Sequence, residues 1–281
     1  MEIQKRVAAI HDISGFGKCS LTVALPVLSA AGFEVSVIPT AILSTHTAVK
    51  PGFTYRDLTE DMLPFAKHWK SIGLTFNALY SGYLGSTKQI DIVCDIFDMF
   101  KTPNTLTVVD PAMADNGRMY SLFDKSFAGE MKKLCQKADI IVPNMTEAAF
   151  LLGQEYKDGP YTVEYIENTL KNLSKLGPKK VVLTGVWFKE SNLGAACYDS
   201  ETQRTHFLLK KRFMGMFHGT GDVFASALTA ALVKGKNLKT ATKIAVDFTT
   251  DSLKRTANGY TDHSYGVDFE RSLPKLIKAL R

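Results

Sequence analysis

The sequence predicts an α/β protein, a three-layer α/β/α sandwich in which a mainly parallel sheet lies between two layers of helices. Short β-branched apolar runs alternate with longer stretches that have helical spacing. The runs are hydrophobic throughout, which suits strands that are covered on both faces. With 281 residues and 45% hydrophobic content, the chain can bury one sizeable core. We therefore expect a single domain over residues 1–281.

Five apolar runs predict the strands of this sheet, at residues 7–10, 35–39, 105–110, 139–143 and 180–184. A β-hairpin is predicted at residues 193–198 and 204–209, because two apolar segments flank a short polar connection there. The carboxyl ends of parallel strands form the usual ligand crevice of such a sheet. Polar residues that directly follow the runs are therefore the first candidates for a site.

Two helices are predicted with particular clarity. The first lies within residues 15–32, where apolar side chains recur on one face; Pro26 should bend it and Gly32 should end it. The second begins after Gly221, carries a continuous apolar face and should end at Gly235. Each of them follows a glycine-containing segment that could approach a ligand.

Composition excludes several classes of protein. The four cysteines are far apart and form no C-x-x-C pair, so they predict neither a zinc site nor a disulfide framework. The formal charge of +6 is spread along the chain, which disfavours a nucleic-acid partner. At residues 210–212, a Lys-Lys-Arg stretch is either a solvated loop or a patch that attracts an anionic nucleotide. The apolar run at 7–10 is too short for a signal peptide or membrane span, so we expect a cytoplasmic protein without a membrane partner.

The first candidate segment is Ser14-Gly15-Phe16-Gly17-Lys18, which follows the first predicted strand. It matches neither a P-loop nor the dinucleotide-binding fingerprint, since the required glycines and hydroxyl residue are missing. Two interpretations stay open. The segment is a tight strand-to-helix turn, or it is a turn that also offers Ser14 to a small polar ligand.

Carboxylates at two further strand ends also have two interpretations each. Asp110 before Pro111 either faces the crevice or caps a turn. Glu147 lies three residues after Asn144, which is the spacing of a helix capping box. The same Glu147 could instead bind metal-coordinated water, and the segment alone does not separate the two roles.

The fourth segment, His218-Gly219-Thr220-Gly221-Asp222, opens the second helix and is the hardest to explain as structure. Two glycines in a first helical turn cost stability, but they let backbone N–H groups approach an anion at the positive end of the helix dipole. A carboxylate beside a phosphate site repels the phosphate. Asp222 is therefore predicted to be a base that orients and deprotonates an attacking hydroxyl.

Together these segments resemble the ribokinase-like superfamily, and within it the pyridoxal kinases. Residues 219–222 match the anion-hole and catalytic-base motif of that superfamily. Residues 109–111, 143–147 and 181–185 occur in the same order as in these kinases. Residues 44–47 and 81–86 resemble segments of the pyridoxal kinase branch. The resemblance implies a ribokinase-like fold, ATP and Mg²⁺ as ligands, and a homodimer. Whether the protein also depends on a monovalent cation stays open.

The resemblance also implies roles for individual residues. The residues that would bind the substrate are Ser14, Thr45, His46, Thr47, Tyr83 and Asp222. The residues that would bind ATP are Asp110, Asn144, Glu147, Thr184, Gly219 and Gly221. Asp110 and Glu147 would also organise Mg²⁺. Asp222 would be the base, while Gly219, Thr220 and Gly221 would form the anion hole. Residues 114–120 resemble a loop that covers ATP.

The implied reaction is phosphorylation of the 5′-hydroxymethyl group of pyridoxal, pyridoxamine or pyridoxine. The glycine segments also resemble those of the hydroxymethylpyrimidine kinases, which usually carry Cys where this chain has Asp222. Asp222 thus favours the vitamin B6 compounds without excluding hydroxymethylpyrimidine. The sequence also leaves open a sugar or nucleoside kinase and a non-catalytic protein that binds pyridoxal or a nucleotide.

Overall fold

The computed structural model describes residues 4–47, 52–124, 126–213, 215, 217–259 and 263–281. Its strands are β1 (Arg6–Phe16), β2 (Glu34–Thr45), β3 (Tyr55–Asp57), β4 (Ala78–Ser81), β5 (Leu106–Val109), β6 (Ala114–Asp115), β7 (Arg118–Met119), β8 (Ile140–Ile141), β9 (Lys180–Val186), β10 (Asn192–Asp199) and β11 (Arg204–Lys211). Its α-helices are α1 (Leu21–Ala30), α2 (Thr59–Ser71), α3 (Thr87–Phe100), α4 (Ser126–Lys137), α5 (Met145–Leu151), α6 (Val163–Ser174), α7 (Thr220–Val233), α8 (Leu238–Ala257) and α9 (Leu273–Leu280).

Within the described residues, nine strands form one sheet in the order β11-β10-β9-β8-β5-β4-β1-β2-β3. The six central strands, from β9 to β2, pair in parallel, whereas β3, β10 and β11 are antiparallel. The predicted mainly parallel sheet is confirmed, and so is the hairpin, which is β10 and β11. Because β1, β4, β5 and β8 point the same way, their carboxyl ends meet at one edge.

Two hydrophobic clusters lie on opposite faces of this sheet, which confirms the three-layer architecture. One cluster packs α2 to α6 against the sheet through residues such as Met62, Ile90 and Met131. The other packs α1, α7, α8 and α9 through residues such as Val23 and Val223. Strand residues are buried from both sides, which explains their continuous apolar runs. Within the described residues, none of the helices has the length and hydropathy needed to span a bilayer.

Several element boundaries differ from the prediction. The sequence predicts the first strand at 7–10, but β1 runs to Phe16 because its main chain stays paired with β2 as far as Thr45. Consequently Ser14 and Gly15 lie in the strand, and α1 begins only at Leu21. Strand β4 is not predicted, since four residues are too few to show a period. Gly32 and Gly235 follow α1 and α7 with positive φ, as expected for helix ends.

Candidate active site

A cleft of about 780 Å³ lies at the carboxyl edge of the parallel strands. It is lined by most of the predicted site residues, namely His46, Thr47, Tyr83, Asp110, Asn144, Glu147, Thr184, Gly219, Thr220, Gly221 and Asp222. These residues come from separate parts of the chain. The fold therefore brings together side chains and main-chain groups that the sequence only suggests are neighbours, at the place where such folds bind ligands.

The first turn of α7 faces this cleft. Gly219 is its N-cap, with φ 73°, and a Cβ there would lie 1.9 Å from the carbonyl oxygen of Lys18. Only glycine fits that position, because both the close contact and the left-handed backbone exclude a side chain. At Gly221, by contrast, a Cβ would meet no atom within 4 Å. The main chain at Gly221 is thus open to a ligand, as an anion-binding helix terminus requires.

Asp222 follows directly and lines the cleft, with its side chain only partly exposed. Burial is the main reason that the pKa of Asp222 is raised to about 7, and repulsion from Asp12 contributes to the same shift. The backbone N–H groups of Ser20 and of Asp222 itself act in the opposite direction. A carboxylate with a pKa near neutrality is well suited to accept a proton from a hydroxyl.

Asp110 and Glu147 form a second acidic pair. Asp110 follows β5, is 7% exposed, and has its pKa raised well above the ordinary range by burial and by Asp222. Burial and Asp110 likewise raise the pKa of Glu147. In the described part of the chain, no basic side chain offsets this repulsion for either carboxyl. A divalent cation would offset it, so the two residues fit the predicted magnesium role.

Glu147 also has the structural role that its spacing from Asn144 indicates. Its Oε2 accepts a hydrogen bond from the Asn144 N–H at 2.8 Å, and the Asn144 side chain accepts from the N–H of Glu147 at 2.9 Å. This capping box is present in α5. Oε1 accepts a further bond from the Met113 N–H at 3.1 Å. The described residues contain no group of three or more His, Cys, Asp or Glu that could hold a metal, so Mg²⁺ would depend on water and phosphate oxygens as well.

Only some of the residues proposed to bind the ring substrate line the cleft. His46 and Thr47 line the cleft, and the His46 ring lies 5.1 Å from the ring of His218. Thr45 ends β2 and does not line the cleft. Ser14 is fully buried in β1, outside the lining, and its hydroxyl has no hydrogen-bond partner among the described residues.

Aromatic side chains form one wall. The Tyr83 ring lies 5.5 Å from Phe123 and 6.4 Å from Tyr120, with interplanar angles of 33° and 38°. Tyr83 and Tyr120 both line the cleft. These rings offer a surface that matches a flat heteroaromatic molecule better than a sugar.

A hairpin and two basic residues also border the cleft. The segment 114–120, which resembles a loop that covers ATP, contains the hairpin β6–β7, which turns at Asn116 and Gly117, both with positive φ. Thr184, in β9, lies beside Asn144. Lys211 and Arg212 also line the cleft, which favours the anion-attracting interpretation of this basic stretch over a solvated loop.

Several lining residues are not predicted from the sequence as parts of the site, among them Asp12, Cys19 and Ser20. In the sequence, Asp12 stands where a P-loop would need glycine and has no role of its own. It lies in β1, is 5% exposed, and has its pKa raised to about 6 by burial. A carboxylate that closely follows the apolar run at residues 7–10 is the signal that could have identified Asp12.

The fold and this site define a kinase of the ribokinase-like class, and solved structures agree. The chain is 39% identical to a "putative phosphomethylpyrimidine kinase" from Bacteroides thetaiotaomicron, with a TM-score of 0.94 over 98% of this chain and 94% of that one. An orthorhombic form of the Bacteroides protein was crystallised with pyridoxal. The pyridoxal kinase of Lactobacillus plantarum is 30% identical, with a TM-score of 0.89 over 99% and 98% of the two chains.

Sequence comparisons identify the family. A relative from Haemophilus influenzae, a hydroxymethylpyrimidine/phosphomethylpyrimidine kinase, is 33% identical over 191 residues, which are 65% of this chain and 68% of the relative. The family model for phosphomethylpyrimidine kinase matches residues 53–266. This chain belongs to the phosphomethylpyrimidine kinase family. The predicted enzyme class, a kinase similar to the pyridoxal kinases of the ribokinase-like superfamily, is thereby confirmed.

Proposed function

We propose that this protein transfers the γ-phosphate of ATP to the 5′-hydroxymethyl group of pyridoxal, pyridoxamine or pyridoxine. The observation that carries the proposal is the first turn of α7, where open main chain at Gly221 and the carboxylate of Asp222 face the same cleft. One can bind phosphate, and the other can accept the proton of a hydroxyl. The pyridoxal-bound Bacteroides relative supports a vitamin B6 ring as the acceptor.

In this mechanism Asp222 accepts a hydrogen bond from the hydroxymethyl group and takes its proton as phosphoryl transfer proceeds. The transition state is loose, so a strong base is not needed and positioning contributes most of the rate. The N–H groups of Gly219, Thr220 and Gly221 stabilise the charge that develops on the transferring phosphate. Lys211 and Arg212 attract the nucleotide phosphates to the cleft.

Asp110 and Glu147 would hold Mg²⁺, which when bound neutralises charge on the nucleotide phosphates. The two carboxylates themselves place two negative charges on one side of the nucleotide site. This also gives a physical reason for tolerating two buried carboxyls that repel each other. The hairpin β6–β7 borders the same region through Asp115 and Asn116, and we propose that it shields the phosphates from water.

Replacing Glu147 with Gln should raise the Mg²⁺ concentration needed for half-maximal activity by about 10- to 100-fold, as for other groups that orient a metal shell. The affinity for the ring substrate should change much less. Initial rates over a Mg²⁺ titration at saturating substrate measure the effect.

Asn237→Ala is the control for the loss of a helix cap alone, since Asn237 caps α8 through the N–H of Thr240 and does not line the cleft. It should lower the melting temperature, with a cost of about 1 kcal/mol for a lost cap. If Glu147→Gln changed only the melting temperature, capping would be the whole role of this residue.

Hydroxymethylpyrimidine is the second candidate acceptor, favoured by the family and by the Haemophilus relative. It too is a flat nitrogen heterocycle with a hydroxymethyl group, so the α7 machinery would serve it equally well. The decision between the two therefore depends on the ring-binding side of the cleft, where Tyr83 and Asp12 lie.

The deciding measurement is kcat/KM with ATP and Mg²⁺ for pyridoxal, pyridoxamine, pyridoxine, hydroxymethylpyrimidine and ribose. We expect a vitamin B6 compound to exceed hydroxymethylpyrimidine by roughly 10- to 200-fold, the range that differences in ring shape provide. Higher activity on hydroxymethylpyrimidine would transfer the assignment to that substrate. Absence of turnover with every acceptor would favour a non-catalytic binding protein.

A further inference from the structure

The turn between β1 and α1 is in tight contact with the N-terminus of α7. A Cβ at Gly219, the N-cap of α7, would lie 1.9 Å from the carbonyl oxygen of Lys18 and 3.5 Å from Sγ of Cys19. Contacts this close leave Gly219 no room to move towards the turn. The main chain of Lys18 therefore sets the position of Gly219, whose N–H is one of those assigned to the transferring phosphate.

Residues 264–270, which follow α8, contact the same turn. The N–H of Lys18 donates a hydrogen bond to the carbonyl oxygen of Tyr265 at 2.7 Å. Gly266 has φ 120°, and a Cβ there would lie 2.7 Å from the Cβ of Lys18 and 2.8 Å from its carbonyl oxygen. Only glycine permits such an approach of two main chains. Lys18 is thus packed directly against two glycines, Gly266 and Gly219.

The side chain of Lys18 reinforces this contact. Its Nζ lies 2.7 Å from Oδ1 of Asp268 and 2.9 Å from Oε2 of Glu270, and 5.9 Å from the centre of the Phe269 ring. The Lys18 and Asp268 side chains are 30% and 27% exposed, so solvent screens their ion pair only in part. Main chain and side chain of Lys18 are therefore both joined to residues 264–270.

The same segment also contacts the part of the cleft that is proposed to bind the acceptor. Nε2 of His46 lies 2.9 Å from the carbonyl oxygen of Ser264, so Nε2 carries the proton and donates it to this bond. The His46 ring also packs on the turn, because a Cβ at Gly17 would lie 2.8 Å from its Cδ2. Residues 264–270 thus hold groups on the acceptor side and, through Lys18, on the phosphate side.

We infer that Lys18 is a positioning residue, which fixes the N-cap of α7 by joining it to residues 264–270. The inference rests on the proposed function, because the group that Lys18 positions is the proposed anion hole. Lys18 does not line the cleft, so it acts through Gly219 and not on the ligand. A misplacement of about 1 Å can lower a rate by about 10²-fold. A partly exposed ion pair contributes only about 0–1 kcal/mol to stability, so its loss should affect turnover more than folding.

Lys18→Met tests this role, since methionine retains the apolar part of the side chain and removes the charge. With the preferred acceptor, kcat should fall by about 10-fold or more. The KM for the acceptor should change by less than about 3-fold, because the anion hole acts in the transition state. Lys18→Arg can still pair with both carboxylates and should recover most of the wild-type kcat. Asp268→Asn should lower kcat as Lys18→Met does, and it tests the role if Lys18→Met does not fold.

Lys101→Met is the matched control. Lys101 forms an ion pair with Asp139 at 3.0 Å, their side chains are 38% and 37% exposed, and neither residue lines the cleft. Loss of this pair should change stability by a similar amount, about 0–1 kcal/mol, and leave kcat unchanged.

Amide hydrogen exchange, followed by NMR, adds a measurement that does not require turnover. The N–H of Val223 donates to the carbonyl oxygen of Gly219 at 3.0 Å, which is the first hydrogen bond of α7. If Gly219 is displaced, this bond weakens, so the Val223 N–H should exchange faster in Lys18→Met and not in Lys101→Met.

Wild-type kcat in both Lys18→Met and Asp268→Asn would overturn the inference even if the protein phosphorylates a vitamin B6 compound. An equal fall of kcat in Lys101→Met would also overturn it, because the effect would then be general destabilisation. If the wild type phosphorylates none of the acceptors, the proposed function fails. Hydrogen exchange at Val223 then decides the positioning role alone, and unchanged exchange in Lys18→Met would contradict it.

Discussion

Replacing Asp222 with Asn should lower kcat by roughly 10²- to 10⁴-fold, the contribution typical of a positioned general base. Asparagine keeps the shape of the Asp222 side chain but cannot take up a proton from the acceptor hydroxyl. The loss would therefore be chemical and not structural. Steady-state kinetics with ATP and the preferred acceptor, together with ATP binding by calorimetry, separate the two.

The pH dependence provides an independent check of the same variant. Because the pKa of Asp222 is raised to about 7, wild-type kcat/KM should fall as the pH decreases below that value. Asp222→Asn should lack this limb. In Asp12→Asn the limb should move to lower pH, because Asp12 raises the pKa of Asp222 by repulsion.

As the pH rises, the contribution of Asp222 to stability should decrease while the activity increases. A carboxyl whose pKa is raised by folding stabilises the protein below its ordinary pKa of 3.8, and this contribution is lost as the pH rises through about 7. Asp222→Asn removes that loss, so at pH 8 its melting temperature should equal or exceed that of the wild type. Near-normal turnover, or a large fall in melting temperature, would contradict the role of Asp222 as a base.

The sequence predicts the sheet because its strands are covered on both faces, and continuous burial leaves a continuous apolar run. It places the boundaries of β1 poorly for a related reason. Beyond Ile10 the strand is held by main-chain pairing with β2, as in Ser14 beside Leu43, and such pairing leaves no mark on side-chain pattern. Strand β4 is not predicted from the sequence, because Ala78–Ser81 is too short to show a period.

The site, like the sheet, has features that a local sequence pattern shows and others that appear only in the fold. The segment 218–222 can be interpreted from sequence, since two glycines and an acid at a helix start are locally unfavourable and so require an explanation. Ser14 and Asp12 cannot be ranked without the fold. Both are polar residues in one strand, yet Asp12 lines the cleft and Ser14 does not. Asp12 and Asp222 line the same cleft although they are far apart in the chain, and no local pattern contains that relation.

The two glycines of α7 should respond differently to alanine. Gly219→Ala places a Cβ 1.9 Å from the Lys18 carbonyl oxygen and forces a side chain onto a backbone with φ 73°, so the protein should lose stability. Gly221→Ala meets no atom within 4 Å. It should fold normally and gain as much as about 1 kcal/mol from the higher helix propensity of alanine.

Activity should nevertheless fall in both variants. The Cβ of Gly221→Ala would occupy the open space through which a phosphate reaches the first turn of α7, so the main-chain N–H groups would no longer approach the transferring group closely. Loss of one such donor commonly lowers kcat by about 10²- to 10³-fold. Thermal unfolding and kcat measured on the same preparations distinguish the variants. A Gly221→Ala protein of wild-type stability and wild-type kcat would show that the first turn of α7 does not bind the transferring phosphate. A stable but inactive one would locate the anion hole at this turn, because in that variant no contact within the protein has been disturbed.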